Sequence, residues 1–281
     1  MGDLHALDDS SRVGVPVPTI DACIEAIAHY RALHGHSPNT AKLDAWMLRA
    51  IGVSPQQATL MDLERVVMRN RNKGSRSTYT ARIRSCFVAL RKMGLITNTV
   101  DEQLPHLRAP NGTPRPLTDD QVARLLAGLK KPHLDVFRIG LLTGARAMEA
   151  WAMTGADLTD GIHGPELLLH GKGGKEESVP AHPRVVEIIE SYQTLGRIFM
   201  RWGTPLALSH AMGTHMRRVL APDYVEFHQA RHTFGTKLMT ASGNDLLLVS
   251  KMMRHASMET TMGYVRLVDD RPRLAINQLA G

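Results

Sequence analysis

The chain has 281 residues, of which 43% are hydrophobic and 22% are charged, and its formal net charge is +7. This balance is typical of a globular protein and excludes a disordered, collagen-like or coiled-coil chain as a description of the whole. The length favours two domains, each large enough to bury its own core.

The sequence carries no signal for export or membrane insertion. No stretch approaches the ~18 uncharged apolar residues that a membrane helix requires. The first residues, MGDLHALDDSS, lack the basic and apolar regions of a signal peptide. The two cysteines, Cys23 and Cys86, are too few for a disulfide framework. We therefore expect a soluble, unexported protein whose cysteines are buried thiols in a reducing compartment.

The N-terminal part of the chain is predicted to be a small all-α domain. Residues 1–18 contain two prolines and no periodic apolar pattern, so we predict a flexible tail there. About four helices follow, separated by proline and glycine. Together they predict a helical domain over residues 19–106. The first three predicted helices cover about 21–33, 40–51 and 60–70.

The fourth predicted helix holds much of the basic charge. Residues 62–92 contain nine basic and two acidic residues, an excess equal to the net charge of the whole chain. Apolar residues recur at i, i+4 and i+7 from Ile83, and the neighbouring arginines fall off this stripe. A helix that is packed on one face and basic elsewhere suits a DNA backbone, with a solvated helix face as the alternative. The predicted DNA contacts are Arg71, Lys73, Arg76, Arg82 and Arg84.

The ends of this basic helix are predicted from its capping residues. Ser77 can cap its start, and Gly94 can cap its end. The preceding segment, RNRNKGSRS, is predicted to be a loop that lies along a phosphate backbone.

A second domain is predicted after residues 107–116, which are rich in proline and glycine and form a candidate linker. Thr118 and Gln121 have the spacing of a capping box, so a helix is predicted to begin there. Another helix is predicted between Pro132 and Gly144.

A small antiparallel sheet is predicted further along this domain. Segments 166–170 and 176–180 have the pattern of short strands, and the glycine-rich turn GKGGK lies between them. The rest of the domain, from residue 184, is predicted to be mostly helical. We place the domain at 117–270 and a C-terminal tail at 271–281.

Six polar residues of the second domain are candidates for chemistry: Arg146, Lys172, His228, Arg231, His255 and Tyr264. Each one alone has an ordinary explanation as a surface cation, a helix cap or a packing ring. Together they suit attack on a phosphodiester, because fixed cations stabilise the developing negative charge and a tyrosine can act as a covalent nucleophile. The set lacks paired carboxylates at a helical spacing, which disfavours a metal-dependent nuclease. We expect neither a metal nor a cofactor.

Four segments resemble, in order and spacing, the signature boxes of the tyrosine recombinase family, of the phage integrase type. They are TGARAME, GKGGKEESVP, HQARHTFGTKL and HASMETTMGYVRL. The resemblance covers about residues 118–268 and implies a mainly α fold. It implies a helical, SAM-like core-binding domain and a mostly helical catalytic domain with a small antiparallel β-sheet, which close on DNA as a C-shaped clamp. The chain resembles a short form without an arm-type DNA-binding domain.

The resemblance implies a role for each candidate residue. Tyr264 would attack the scissile phosphate and give a 3′-phosphotyrosine and a free 5′-hydroxyl. Arg146 and Arg231 would hold the nonbridging oxygens, and Glu149 would support the first arginine. Lys172 would protonate the leaving 5′-oxygen.

The two histidines complete this implied site. His228 would assist proton transfer at the tyrosine, and His255 would hydrogen-bond the phosphate. The chain departs from the family where Met253 and Arg254 precede His255, since the family commonly has Leu-Gly there. Arg254 is therefore predicted to add a phosphate contact.

The implied function is site-specific recombination that integrates and excises phage or mobile-element DNA in the cytoplasm of a bacterial host. The implied partners are double-stranded core-type attachment sites and a homotetramer on two duplexes, with a host DNA-bending protein or a directionality factor as further candidates. The C-terminal tail is expected to dock on a neighbouring protomer or on its own domain. The alternatives are a type IB topoisomerase-like strand transferase and a catalytically inactive DNA-binding relative.

Overall fold

A computed structural model describes residues 17–69, 72–107, 113–171, 173–255, 257–268 and 276. The chain divides into two compact units, Met1–Pro110 and Asn111–Gly281, and this division falls within the predicted linker, 107–116. The predicted tails, 1–18 and 271–281, lie outside the described residues except for residues 17, 18 and 276.

The first unit is helical, as predicted. Thr19 and Ser37 cap the first two helices, and Thr59 and Asp62 form a capping box at the third, so local signals fix where these helices begin. Their apolar faces enclose one core, in which both cysteines are buried as free thiols. The helices are α1 (Ile20–Leu33), α2 (Pro38–Ile51), α3 (Leu60–Met68) and α4 (Lys73–Lys92).

The start of the basic helix α4 differs from the prediction. Asn72 is its N-cap and accepts a hydrogen bond from the backbone of Gly74, so most of the predicted loop is helical. Ser77 lies inside the helix, and its hydroxyl donates to the carbonyl of Leu107. The predicted Ser77 cap is therefore wrong, because an asparagine five residues earlier caps the helix instead. The predicted end is confirmed, since Gly94 follows the last turn with φ +71°.

The second unit is mostly helical and contains a small sheet, which confirms the predicted fold class. The predicted capping box of Thr118 and Gln121 is present at the start of the first helix. The second helix ends directly before Gly144, whose φ is +65°. The helices are α5 (Asp119–Gly128), α6 (His133–Thr143), α7 (Ala147–Ala152), α8 (Pro183–Ser191), α9 (Pro205–Leu220), α10 (His228–Ala241), α11 (Leu246–Met252) and α12 (Met258–Val268).

The sheet has three antiparallel strands in the order β1 (Leu158–Gly161), β2 (Gly164–His170) and β3 (Glu176–Pro180). The predicted hairpin corresponds to β2 and β3, in which Leu167 pairs with Val179. Strand β1 was not predicted, because its sequence LTDG ends in two residues that are depleted in strands.

Helix α10 packs against α6 on one side and against α11 and α12 on another. This arrangement brings the end of α6, the start of α10 and the turn between α11 and α12 to one place. Within the described ranges, the structure has no helix whose length and apolar character would let it cross a membrane.

Candidate active site

Arg231 lies in the first turn of α10 and is buried, with 2% of the residue exposed. Its Nη1 donates to the carbonyl of Gly144 at 2.6 Å, and its Nη2 donates to the carbonyl of Met253. These acceptors are neutral, so they orient the guanidinium without cancelling its charge. Burial, followed by the positive charges of Arg146 and Arg254, lowers the pKa of Arg231 to about 9.

Arg146 is the N-cap residue of α7, directly after the turn that Gly144 and Ala145 make. Its Nη1 donates to Glu149 Oε1 at 2.6 Å, and its backbone N–H donates to Oε2 at 2.8 Å. Its Nη2 donates to the carbonyl of Arg254 at 3.2 Å. The side chain is 37% exposed, so an incoming anion can reach this guanidinium.

Glu149 is a buried carboxylate that two arginines share. Its Oε2 accepts from Arg254 Nη2 at 2.9 Å, in addition to the contacts from Arg146. Burial raises the pKa of Glu149, but the charges and hydrogen bonds of Arg254 and Arg146 outweigh it, and the net pKa is lowered. The carboxylate is therefore ionised and holds both guanidinium groups in place.

Arg254 adopts a left-handed backbone conformation, with φ +51°, at the position where the family commonly has glycine. Its guanidinium donates to Glu149 and to the carbonyls of Thr143, Gly144 and Met252 at 2.8–3.3 Å. The side chain is 5% exposed. The structure thus disfavours the predicted phosphate contact of Arg254, because most of its donors are used inside the protein.

Tyr264 lies on α12 and is 2% exposed. Its ring packs against α10 at Gly235, where an added Cβ would lie 2.7 Å from Tyr264 Cε1. The phenol is hydrogen-bonded to Nδ1 of His232 at 3.0 Å. Burial raises the pKa of Tyr264, and the charges of Arg231 and Arg146 offset part of this rise.

His255 lies beside the tyrosine, with ring centroids 6.0 Å apart and ring planes 25° apart. Its Nδ1 is hydrogen-bonded to Thr261 Oγ1 at 2.8 Å, which fixes the ring orientation. Burial, followed by the charges of nearby arginines led by Arg231, lowers the pKa of His255 to about 4. The imidazole is therefore neutral at pH 7.

His232 was not among the site residues predicted from the sequence. It contacts the phenol of Tyr264 directly, whereas His228 is exposed and packs edge-on against the ring of His232 at a centroid distance of 4.6 Å. The available signal was the i, i+4 spacing of the two histidines, which places them on one helical face.

Lys172 lies outside the described residues, so the structure leaves its predicted role untested. The turn that carries it is closed by a hydrogen bond from the Gly171 N–H to the Lys175 carbonyl at 2.6 Å. At the end of β2, His170 joins Asp157 and Glu176 at 2.8 and 3.0 Å, which anchors the hairpin below the turn.

The predicted DNA contacts of the first unit occupy different environments. Arg71 and the side chain of Lys73 lie outside the described residues, and Arg76 is half-buried on α4. Arg82 pairs with the buried Asp44 at 3.1 Å, with 27% of its side chain exposed.

Arg84 is used inside the first unit. It donates to the carbonyls of Asp101 and Leu104 and is hydrogen-bonded to His106 at 2.8 Å. These contacts disfavour its predicted phosphate contact.

The site therefore combines a buried phenol, neutral imidazoles and three guanidinium groups, two of which share one carboxylate. Such an arrangement can hold a phosphodiester by its nonbridging oxygens while the phenol displaces one of its bridging oxygens. These features define an enzyme that forms a covalent phosphotyrosine bond.

Comparisons with known proteins agree with this class. Residues 115–271 match the Phage integrase family. The tyrosine recombinase XerC of Brucella suis biovar 1 (strain 1330) is 27% identical over 230 residues, which cover 73% of this chain and 72% of that protein. The chain belongs to the phage integrase family of tyrosine recombinases, enzymes that cut and rejoin DNA through a tyrosine intermediate.

Solved structures share this fold. A lambda integrase dimer bound to a COC′ core site has a TM-score of 0.68 at 14% identity, with 91% of this chain and 79% of that chain covered. The Tn1549 transposon integrase in complex with transposon right end DNA has a TM-score of 0.65 at 16% identity, with coverages of 94% and 100%.

Proposed function

We propose that this chain is a site-specific recombinase that integrates and excises phage or mobile-element DNA, working on core-type attachment sites. The observation that carries the proposal is the convergence of Arg146, Arg231, His255 and Tyr264 from separate segments of the chain. A fold alone does not define a function, but this set of groups is suited to one reaction.

The reaction begins with attack of Tyr264 Oη on the scissile phosphorus. Arg231 and Arg146 bind the nonbridging oxygens, because both guanidinium groups carry positive charge that Glu149 only partly compensates. His255 donates a hydrogen bond to the same phosphate. Tyr264 and Arg231 are each 2% exposed before DNA binds, so the reaction requires a movement that exposes both the phenol and this guanidinium.

Departure of the 5′-oxygen completes the first half of the reaction. Lys172 protonates this oxygen, as the resemblance implies, and the product is a 3′-phosphotyrosine. Attack by the 5′-hydroxyl of a partner strand then releases Tyr264. The phosphotyrosine conserves the energy of the phosphodiester bond, so the exchange needs no ATP.

The proposed assembly is a homotetramer on two DNA duplexes. The structures that share the fold of this chain include a lambda integrase tetramer bound to a Holliday junction. The C-terminal tail, 271–281, would dock on a neighbouring protomer or on its own domain. A host DNA-bending protein or a directionality factor would act with the complex in the bacterial cytoplasm, and Arg76 and Arg82 would contact the DNA backbone.

The test is cleavage of nicked duplexes made from the DNA that flanks the gene, in EDTA. We expect a protein–DNA adduct that resists denaturation, because the chain's own cations replace a metal in stabilising the transition state. Strict dependence on magnesium would contradict the scheme. Relaxation of supercoils without exchange between two specific sites would instead support the topoisomerase alternative.

Tyr264→Phe is the matched variant for this test. It should abolish the adduct, since the phenyl ring lacks the nucleophilic oxygen, and it should leave DNA affinity within a few-fold of wild type. An adduct of normal yield in Tyr264→Phe would refute the assignment of the nucleophile. An absent adduct in the wild-type protein on every duplex that it binds would favour the inactive relative.

A further inference from the structure

The hydrogen-bond partner of the nucleophile is an imidazole that the family resemblance did not single out. The phenol of Tyr264 is hydrogen-bonded to Nδ1 of His232 at 3.0 Å, within the range of a direct proton transfer, and the phenol is the donor when His232 carries its proton on Nε2. His228, to which the resemblance gives the proton-transfer role, is exposed and contacts the ring of His232 instead. The two histidines therefore differ in their access to the reacting oxygen.

We propose that His232 is a catalytic residue that accepts the phenolic proton of Tyr264 during strand cleavage and returns it during rejoining. This inference rests on the proposed function, because it assigns a step of the same reaction. It reassigns that step from His228 to its neighbour one helical turn further along α10.

The surroundings of His232 favour the neutral ring that a base requires. His228 and Arg231 face it from α10, Tyr264 faces it from α12, and His255 faces it from the turn before α12. Burial, followed by the charges of His228 and Arg231, lowers the pKa of His232 to about 4. At pH 7 the ring is neutral, and Nδ1 can accept a proton when Nε2 carries the other.

The phenol of Tyr264 is protonated at pH 7, because the ordinary pKa of tyrosine already lies well above 7 and burial raises that of Tyr264 further. An arriving phosphate brings negative charge, which offsets the arginines and stabilises an imidazolium on His232. Transfer is therefore coupled to formation of the bond between oxygen and phosphorus.

The bonds and protons balance both in cleavage and in rejoining. In cleavage, the bond between Tyr264 Oη and phosphorus forms, the bond between phosphorus and the 5′-oxygen breaks, and the phenolic proton moves to His232 Nδ1. The leaving 5′-oxygen receives its proton from the acid that the resemblance places at Lys172. In rejoining, a 5′-hydroxyl attacks phosphorus, and the imidazolium returns its proton to the departing phenolate.

Two substitutions separate proton transfer from placement of the tyrosine. In His232→Asn, the amide oxygen lies near the position of Nδ1, so it can accept the hydrogen bond but cannot accept the proton. His232→Ala leaves a cavity that free imidazole can enter. His228→Asn and His228→Ala are the matched controls on the same helical face.

The experiment measures single-turnover cleavage of a nicked site that the wild-type protein has been shown to cleave through Tyr264. We expect His232→Asn and His232→Ala to slow cleavage about 10²- to 10⁴-fold, the usual contribution of a general base. Added imidazole should restore about tenfold or more of the loss in His232→Ala and none in His228→Ala. DNA affinity, measured in parallel, reports whether each variant is folded.

Cleavage by His232→Asn within about threefold of wild type would overturn the proposal, because a hydrogen bond alone would then suffice. Rescue of His228→Ala rather than His232→Ala by imidazole would overturn it too and would return the role to His228. Neither outcome would affect the proposed function, which fails only if the wild-type protein forms no adduct at Tyr264.

Discussion

The two units of the chain each bury an arginine, but in different surroundings. In the first unit, Asp44 is fully buried and accepts from Arg31 at 2.7 Å and from Arg82 at 3.1 Å. In the second unit, Arg231 is equally buried but donates to two backbone carbonyls rather than to a carboxylate. Each unit also contains a carboxylate that two arginines share, Asp44 and Glu149, so the difference lies in the partners of Arg31 and Arg231.

In the proposed function, this difference separates an arginine that stabilises the fold, Arg31, from an arginine that binds the phosphate, Arg231. A carboxylate partner cancels the charge of a buried guanidinium, whereas a carbonyl only fixes its direction. The uncancelled charge of Arg231 costs folding free energy, and in the proposed function it binds the phosphate. Preorganised charge of this kind is what stabilises a transition state.

The largest expected effect is that of Arg231→Met. Cleavage should slow by about 10³-fold or more, because the variant lacks the buried cation that we propose binds the phosphate. The pKa of Arg231, lowered to about 9, means that burial disfavours its charged form at pH 7, so the melting temperature should stay level or rise. Single-turnover cleavage and thermal melts check both parts.

Arg184→Met is the control for this variant. Arg184 is 65% exposed and pairs with Glu187 on α8, so its loss should change neither rate nor melting temperature. A large fall in the melting temperature of Arg231→Met would contradict the claim that the charge of Arg231 costs folding free energy.

Asp44→Asn should have the opposite profile. It leaves the buried Arg31 without its carboxylate, which typically costs about 3–5 kcal/mol of unfolding free energy. Urea titration should detect this loss. The cleavage rate of protein that remains folded should be unchanged at saturating DNA, and a loss of stability below about 1 kcal/mol would count against the role of this pair.

Arg254→Gly should have a smaller effect on catalysis. Glycine suits the left-handed backbone, but Glu149 loses a partner, and we expect Arg146 to shift and cleavage to slow about 10- to 100-fold. The positive charge of Arg254 also lowers the pKa of His255, so its removal should raise that pKa. Nuclear magnetic resonance titration of His255 measures this change. An unaltered pKa of His255 would contradict the expected effect of the Arg254 charge on this histidine.

The smallest effect concerns DNA affinity. Arg82→Ala should lower the slope of log affinity against log salt by about one unit, the value for one lost phosphate contact. Arg84→Ala should leave the slope unchanged and reduce the stability of the first unit, because its donors bind carbonyls there. Equal changes of slope in Arg82→Ala and Arg84→Ala would contradict the prediction that only Arg82 of these two residues contacts a phosphate.

Much of the fold could be predicted because its determinants are local. The capping box at Thr118 and Gln121 and the glycine after α6 place helix ends within a residue or two. The error at Ser77 is also local, since Asn72 and Ser77 both have capping side chains and only packing decides between them. Strand β1 lacks a sequence pattern and exists because β2 pairs with it.

The contacts within the site could not be predicted, because they join residues distant in sequence. His232 and Tyr264 are 32 positions apart, and only the packing of α12 on α10 brings them together. The internal role of Arg254 depends on a carboxylate 105 positions earlier. A motif identifies which residues take part, while their partners depend on tertiary structure.

The most direct test is to identify the residue to which DNA is covalently bound in the trapped adduct. Nicked duplex is incubated with the wild-type protein, the complex is digested, and the peptide that carries nucleotide is sequenced by mass spectrometry. We predict a single modified residue, Tyr264, joined to a 3′-phosphate. Nucleotide on any other side chain, or on a 5′-phosphate, would contradict the account.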